Sequence, residues 1–165
     1  MPGVGKSYFG KKFSEIANYK FYDLDLNIEK NCKMKVSEIF ETKGEKYFRK
    51  KEAEILKKTV ETSVENTVIA TGGGTPIHSN LMQYMNEAGI TVWLNSDINY
   101  IISNIKSQKN ARPMFNNSIN IREKLNELYK KRHKTYAKSM IQIVINEGTS
   151  PNLFTNTLLL STIAE

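Results

Sequence analysis

Gly3-Val4-Gly5-Lys6-Ser7 is the stretch on which the reading of this chain turns. It matches the closing half of the phosphate-binding loop G-x-x-x-x-G-K-S/T, with Gly5, Lys6 and Ser7 as the terminal signature. In such a loop backbone N–H groups point inward around phosphate oxygens, the lysine neutralises β- and γ-phosphate charge, and the hydroxyl coordinates magnesium. Glycines serve the turn because it needs positive φ and close backbone approach. A helix predicted over residues 6–17 turns the positive end of its dipole towards the same phosphates. The opening glycine of the motif would stand just before Met1, as would the buried strand that normally leads into this loop in nucleotide-binding α/β domains. The expectation is that roughly eight upstream residues rich in Val, Ile and Leu belong to the working protein.

Beyond the loop, four β-prone segments punctuate the chain, at 20–24, 68–71, 90–94 and 141–145. Helical patterns fill the intervals at 44–64, 80–88, 97–107 and 121–139, and Pro151 opens a last helix that ends near Ala164. Strands alternating with helices predict an α/β fold of three layers, a parallel sheet with helices on both faces. Counting the inferred upstream strand, the sheet would have five. The 165 residues, 39% apolar and 25% charged, suit one domain over 1–165. Twenty-four Lys and Arg against 17 Asp and Glu give +7, so an anionic partner is expected: phosphate, carboxylate or nucleic acid. No apolar run reaches the ~20 residues of a membrane span, and no leader pattern opens the chain, so the expectation is a cytoplasmic protein without a membrane partner. Cys32 stands alone and reads as an ordinary thiol. The lysines between 43 and 58 interleave with Glu45, Glu52 and Glu54 and read as a solvated helix face.

Several clusters carry chemistry. Asp23-Leu24-Asp25 ends the first predicted strand, and strand alternation would point both carboxylates the same way, one to a metal and one to a substrate. Such a position is where α/β sheets bind ligands. Gly72-Gly73-Gly74 follows the strand at 68–71, and three glycines imply close backbone approach with N–H groups open to a carboxylate or hydroxyl. Arg49 precedes Glu52 by one helical turn, and its fork suits a carboxylate. Arg132, flanked by Tyr129 and Tyr136 on one face, offers a second arginine. The polar run 106–118, with Arg112-Pro113, reads as a lid loop. His78 and His133 are isolated and read as surface residues.

Taken in order, P-G-V-G-K-S (2–7), D-L-D (23–25), G-E-K-Y-F-R (44–49), T-G-G-G (71–74), A-R-P (111–113) and Y-K-K-R (129–132) resemble the shikimate kinase family over nearly the whole chain. The resemblance implies a P-loop kinase fold with a shikimate-binding subdomain at 26–60. It implies transfer of the γ-phosphoryl of MgATP to the 3-hydroxyl of shikimate, a step of aromatic amino acid biosynthesis, by a monomer. By that likeness Gly3, Val4, Gly5, Lys6, Ser7 and Tyr8 hold ATP phosphates, Lys106 and Pro151 flank adenine, and Ser7 with Asp23 serves magnesium. Asp25 activates the attacking hydroxyl, and Arg112 swings in to the transferring phosphoryl group. Arg49 and Arg132 clamp the substrate carboxylate, Gly72, Gly73 and Gly74 offer backbone contacts, and Phe48 packs against the ring. Lys6, Asp25 and Arg112 are thus the implied catalytic residues. The chain departs from the family at Met114-Phe115, where two leucines are common, and at the absent first loop glycine. Adenylate kinase and gluconate kinase are rival likenesses, but lack this D-x-D, G-x-x-x-F-R and G-G-G series. A nucleic-acid-binding module is disfavoured because acidic residues interleave with basic ones and leave no clean basic stripe.

Overall fold

A computed structural model describes residues 1–64, 66–107 and 120–163. Helix α1 (Lys6–Ala17) is followed by strand β1 (Lys20–Asp23), α2 (Leu24–Cys32), α3 (Val36–Thr62) and β2 (Thr67–Ala70). A short 3₁₀ turn at Thr75–Ile77 leads to α4 (Leu81–Ala88), β3 (Val92–Ser96) and α5 (Ile98–Ser107). Then come α6 (Ile121–Tyr136), β4 (Ile141–Ile145) and α7 (Pro151–Ile163). The α/β alternation expected from the sequence is present, and all strand pairing is parallel.

The strand count differs from the expected five. Among the described residues the strands form two separate parallel pairs, β1 with β2 and β3 with β4. Lys20 faces Thr67 and Asp23 faces Ala70 in the first pair; Val92 faces Ile141 and Ser96 faces Ile145 in the second. Nothing described lies between β2 and β3 to hydrogen-bond with both, so the sheet is split along its middle. Helix α1 holds the halves together. Its Gly10 packs on Val68 and Ala70 of β2, and Phe9 and Phe13 join Leu94 of β3, Ile143 and Ile145 of β4 and Phe154 of α7 in one apolar cluster.

Two further clusters set the layers. Leu24, Ile28, Ile39, Phe48, Leu56 and Leu81 close the face formed by α2, α3 and α4. Met1, Trp93, Ile101, Ile105, Leu125 and Tyr136 close the other end, under α5 and α6. Strand β4 buries Ile141, Ile143 and Ile145 and exposes Gln142 and Val144, the alternation of a strand with one wet face.

Helix α3 departs from the predicted start at residue 44. It begins at Val36 and is broken inside at Gly44, whose φ of 79° and ψ of 167° lie in a region open to glycine alone. A Cβ there would meet nothing within 4 Å, so the glycine serves conformation rather than packing. The strand predicted at 90–94 begins at Val92 instead, after the Gly89 cap of α4, and Ile90 is exposed. Helix α6 stops at Tyr136, three residues short of expectation, because Lys138 and Ser139 fold back in turns onto Thr135 and Tyr136. The expected lid at 106–118 starts inside α5, which ends at Ser107; the remainder, Arg112 included, lies outside the described residues.

Candidate active site

The phosphate loop is folded as its sequence requires. Gly3 and Gly5 have φ of 83° and 98°, where side-chain-bearing residues are strained. Gly3 also lies against α5: a Cβ would come within 2.9 Å of Ile105 Cγ1, and Asn104 Nδ2 donates to the Gly3 carbonyl at 3.0 Å. Val4 is fully buried, which pins the loop from within. The Lys6 ammonium curls over the loop and donates to the Met1 carbonyl at 2.9 Å. Gly5 caps α1, and the first turn begins with Lys6, Ser7 and the exposed Tyr8. Backbone amides at such a helix start suit an anion.

Asp23 and Asp25 converge by a different route from strand alternation. Strand β1 ends at Asp23, which is the N-cap of α2: its Oδ1 accepts from Leu26 N at 3.2 Å. Leu24 turns inward at 0% exposure, and Asp25 stands in the first helical turn. The helix begins where the strand was expected to continue because a capping aspartate can satisfy an orphan amide there. Asp23 Oδ2 also accepts from Ser7 Oγ at 2.5 Å, bringing the loop hydroxyl to the carboxylate. Desolvation pushes the Asp25 pKa above the ordinary carboxylate value, Asp23 and Glu52 add to the shift, and Lys6 and Arg49 oppose it.

Glu52 is the buried hub. It is 0% exposed, accepts from Arg49 Nη1 at 2.8 Å through Oε2, and accepts from Thr75 Oγ1 at 2.6 Å through Oε1. The exposed Glu45 takes Arg49 Nε and Nη2, both at 3.2 Å. Arg49 also lies over the rings of Phe48 and Phe40, 5.1 and 5.9 Å from their centroids. Phe48 itself is buried in the core beneath this guanidinium.

The triple glycine is explained by proximity. None of its members is among the positive-φ glycines. Instead, a Cβ on Gly74 would lie 2.6 Å from Arg49 Nη2, and one on Gly73 would lie 3.3 Å from Arg132 Nη1. On Gly72 it would meet Glu52 Oε1 at 3.1 Å and Asp25 Oδ1 at 3.3 Å. The loop after β2 therefore runs between two guanidiniums and two carboxylates, close enough that an added Cβ would require its neighbours to give way. Tyr136, whose OH donates to the Gly73 carbonyl at 2.5 Å, ties α6 to this loop. Burial raises its pKa, with Arg132 pulling the other way.

Sequence reading brought together Lys6, Ser7, Asp23, Asp25, Arg49, Arg132 and the three glycines, and the structure gathers them at the carboxyl ends of β1 and β2. It did not single out Thr75, Asn104 or the contact of Tyr136 with Gly73. Thr75 directly follows the triple glycine and Tyr136 is one helical turn beyond Arg132, which are the signals that could have found them. Lys106 sits in the last turn of α5, two residues past Asn104, and Pro151 opens α7.

The family model described as shikimate kinase matches residues 2–162. The chain belongs to the shikimate kinase family. Among curated shikimate kinases, that of Alkaliphilus oremlandii is 38% identical over 147 residues, covering 88% of this chain and 86% of the relative. The shikimate kinase of Persephonella marina is 35% identical over 157 residues, covering 95% and 92%. Among solved structures, shikimate kinase from Bacteroides thetaiotaomicron superposes with a TM-score of 0.89 at 29% identity, over 99% of this chain and 94% of that one. Shikimate kinase from Acinetobacter baumannii in complex with shikimate gives 0.88 at 28%, over 99% and 90%. The P-loop kinase fold expected of the shikimate kinase family is therefore the fold of this chain.

Proposed function

We propose that the chain transfers the γ-phosphoryl of MgATP to the 3-hydroxyl of shikimate, giving shikimate 3-phosphate and ADP for aromatic amino acid biosynthesis. The observation that carries this reading is the position of Asp25, whose carboxylate feels both Lys6 of the phosphate loop and Arg49 of the substrate side. A hydroxyl held at Asp25 is thus presented to the phosphate loop. The raised pKa makes Asp25 a stronger base than an ordinary aspartate, suited to take the proton as the oxygen attacks.

Arg49 and Arg132 flank Gly73 and Gly74 and would bind the substrate carboxylate from two directions, with Glu52 and Tyr136 fixing the surrounding frame. Gly72, beside Asp25, leaves room for the sugar-like hydroxyls. Gly3, Val4, Gly5 and the amides opening α1 would cradle phosphate, Lys6 would leave the Met1 carbonyl to meet it, and Tyr8 would border the nucleotide. Lys106 and Pro151 are assigned to adenine, Arg112 to the closing lid and residues 26–60, which run from within α2 to within α3, to substrate binding, on the family likeness.

The oxygens of Ser7 and Asp23 already converge, which fits a magnesium ion that keeps several waters and takes few protein ligands. When bound it would neutralise charge on the phosphates. Monomeric, cytoplasmic action without nucleic-acid or membrane partners completes the reading; among the described residues no helix is long and apolar enough to cross a membrane.

The test is a coupled ADP-release assay offering shikimate, gluconate and AMP to the chain and to Asp25→Asn. Turnover with shikimate alone, lost in Asp25→Asn while ATP binding persists, is the expected result. Preference for AMP or gluconate would overturn the substrate assignment.

A further inference from the structure

Asparagine is a poor residue for a helix interior, because its side-chain amide competes with the backbone for hydrogen bonds. Asn104 nevertheless stands within α5, half-buried, with Ile101 one turn before it and Ile105 beside it. Both isoleucines lie against the phosphate loop: a Cβ on Gly3 would meet Ile105 Cγ1 at 2.9 Å and Ile101 Cγ2 at 3.1 Å. The loop thus runs along one face of α5, and Asn104 brings an amide to that face. Only its nitrogen can donate to a carbonyl, and Nδ2 does so to Gly3 across 101 residues of chain.

A planar trans peptide points its C=O and the N–H of the next residue in opposite directions, and no peptide is cis. Holding the Gly3 carbonyl on the α5 side therefore aims the Val4 N–H away from α5. Val4 is 0% exposed, and its N–H has no hydrogen-bond partner among the described residues. Buried backbone donors are rarely left without an acceptor, and a ligand oxygen would supply one. The Gly5 carbonyl needs no such help, because Phe9 N takes it at 2.9 Å within α1. Gly3 lies ahead of the helix, and among the described residues only Asn104 bonds to its carbonyl. Glycine leaves the peptide free to rotate, so the direction of the Val4 donor depends on that pin.

We propose that Asn104 is a positioning residue for nucleotide phosphate: by holding the Gly3 carbonyl it presents the Val4 N–H to a phosphate oxygen. The proposal rests on the phosphate-loop reading given above. Asn104 acts through one peptide plane rather than by touching the nucleotide, so its effect falls on the phosphates. Shikimate binding, assigned to α2, α3, α6 and the triple glycine, is left alone.

Calorimetric titration of the chain, Asn104→Ala and Asn104→Leu with MgADP, inorganic pyrophosphate and shikimate tests this. Alanine suits a helix interior and leucine keeps the shape of asparagine without its donor, so either variant serves if the other folds poorly. In both, the Kd of MgADP and of pyrophosphate is expected to rise roughly tenfold, while that of shikimate changes by less than about twofold. Asn104→Gln, which keeps the donor on a longer arm, should recover part of the loss. Unchanged pyrophosphate binding would overturn the inference, and a loss confined to MgADP would place Asn104 on the adenine side instead. Equal losses for pyrophosphate and shikimate would also overturn it, because they mark a general loosening of the fold. A wild-type chain that binds neither phosphate ligand would overturn the phosphate-loop reading itself, and the inference with it.

Discussion

At Asp25 the needs of the fold and of the chemistry are opposed. A carboxyl whose pKa is raised in the folded state contributes stability at low pH, and that contribution is lost as pH rises through the folded pKa. At neutral pH the ionised group is therefore a burden on the fold, and in the proposed reaction it is also the form needed as a base. Activity should fall on the acid side at a pH above that of an ordinary aspartate. In Glu52→Gln one neighbouring negative charge is removed, so the Asp25 pKa should drop and the acid limb of kcat/KM should move to lower pH. A limb that stays in place would mean that another group titrates. Gly74→Ala makes a separate prediction. Its Cβ would fall 2.6 Å from Arg49 Nη2, the far end of a flexible side chain, so the arginine shifts while the fold survives. We expect the KM for shikimate to rise roughly tenfold, about 1.4 kcal/mol, with Tm nearly unchanged. At this scale the sequence was informative about chemistry and less so about cause. The triple glycine stood out after an apolar strand, yet its reason, two arginines and two carboxylates crowding one loop, depends on residues far apart in the chain.

Among the elements, α3 carries Glu45, Arg49 and Glu52, and its break at Gly44 sets the angle at which they leave the helix. The residue sits at φ 79°, ψ 167°, where alanine costs about 1–3 kcal/mol. Gly44→Ala should lower Tm by roughly 5 °C, read by thermal denaturation, and should weaken shikimate binding more than ATP binding. Equal loss for both ligands would count against a local role. The helix was legible from its periodicity after residue 44, but its first part was not. Val36-Ser37-Glu38-Ile39-Phe40 holds three apolar residues, too few to declare a period, and packing of Ile39 into the cluster with Leu24 and Ile28 fixes it as helix. Asp23 gives the converse case. An aspartate at a strand end reads equally as strand or cap, and the Leu26 amide decided for the cap.

Across the whole molecule, the +7 charge has two destinations. Lys6, Arg49 and Arg132 gather at the site, whereas lysines such as Lys12 and Lys51 pair with Glu15 and Glu54 on exposed helix faces, at 2.7 and 2.8 Å. The class of fold and the order of its motifs were readable because strand and helix patterns alternate along the chain. The division into two strand pairs was not, since it concerns which strands touch, and pairing is invisible to local pattern. Helix α1 spans that division, with its side chains packed on both pairs and its first turn at the phosphate loop. A nucleotide held at that first turn should therefore stabilise both halves together. We expect MgATP at a hundredfold excess over its Kd to add about 2.7 kcal/mol and to move the denaturation of both pairs as one transition. A rise confined to one set of probes would separate them. Because one helix serves as both the hinge-pin of the two sheets and the floor of the phosphate loop, loading with nucleotide and closing the seam become a single equilibrium. The enzyme would then be sturdiest while it is working and most open to proteases when starved of ATP.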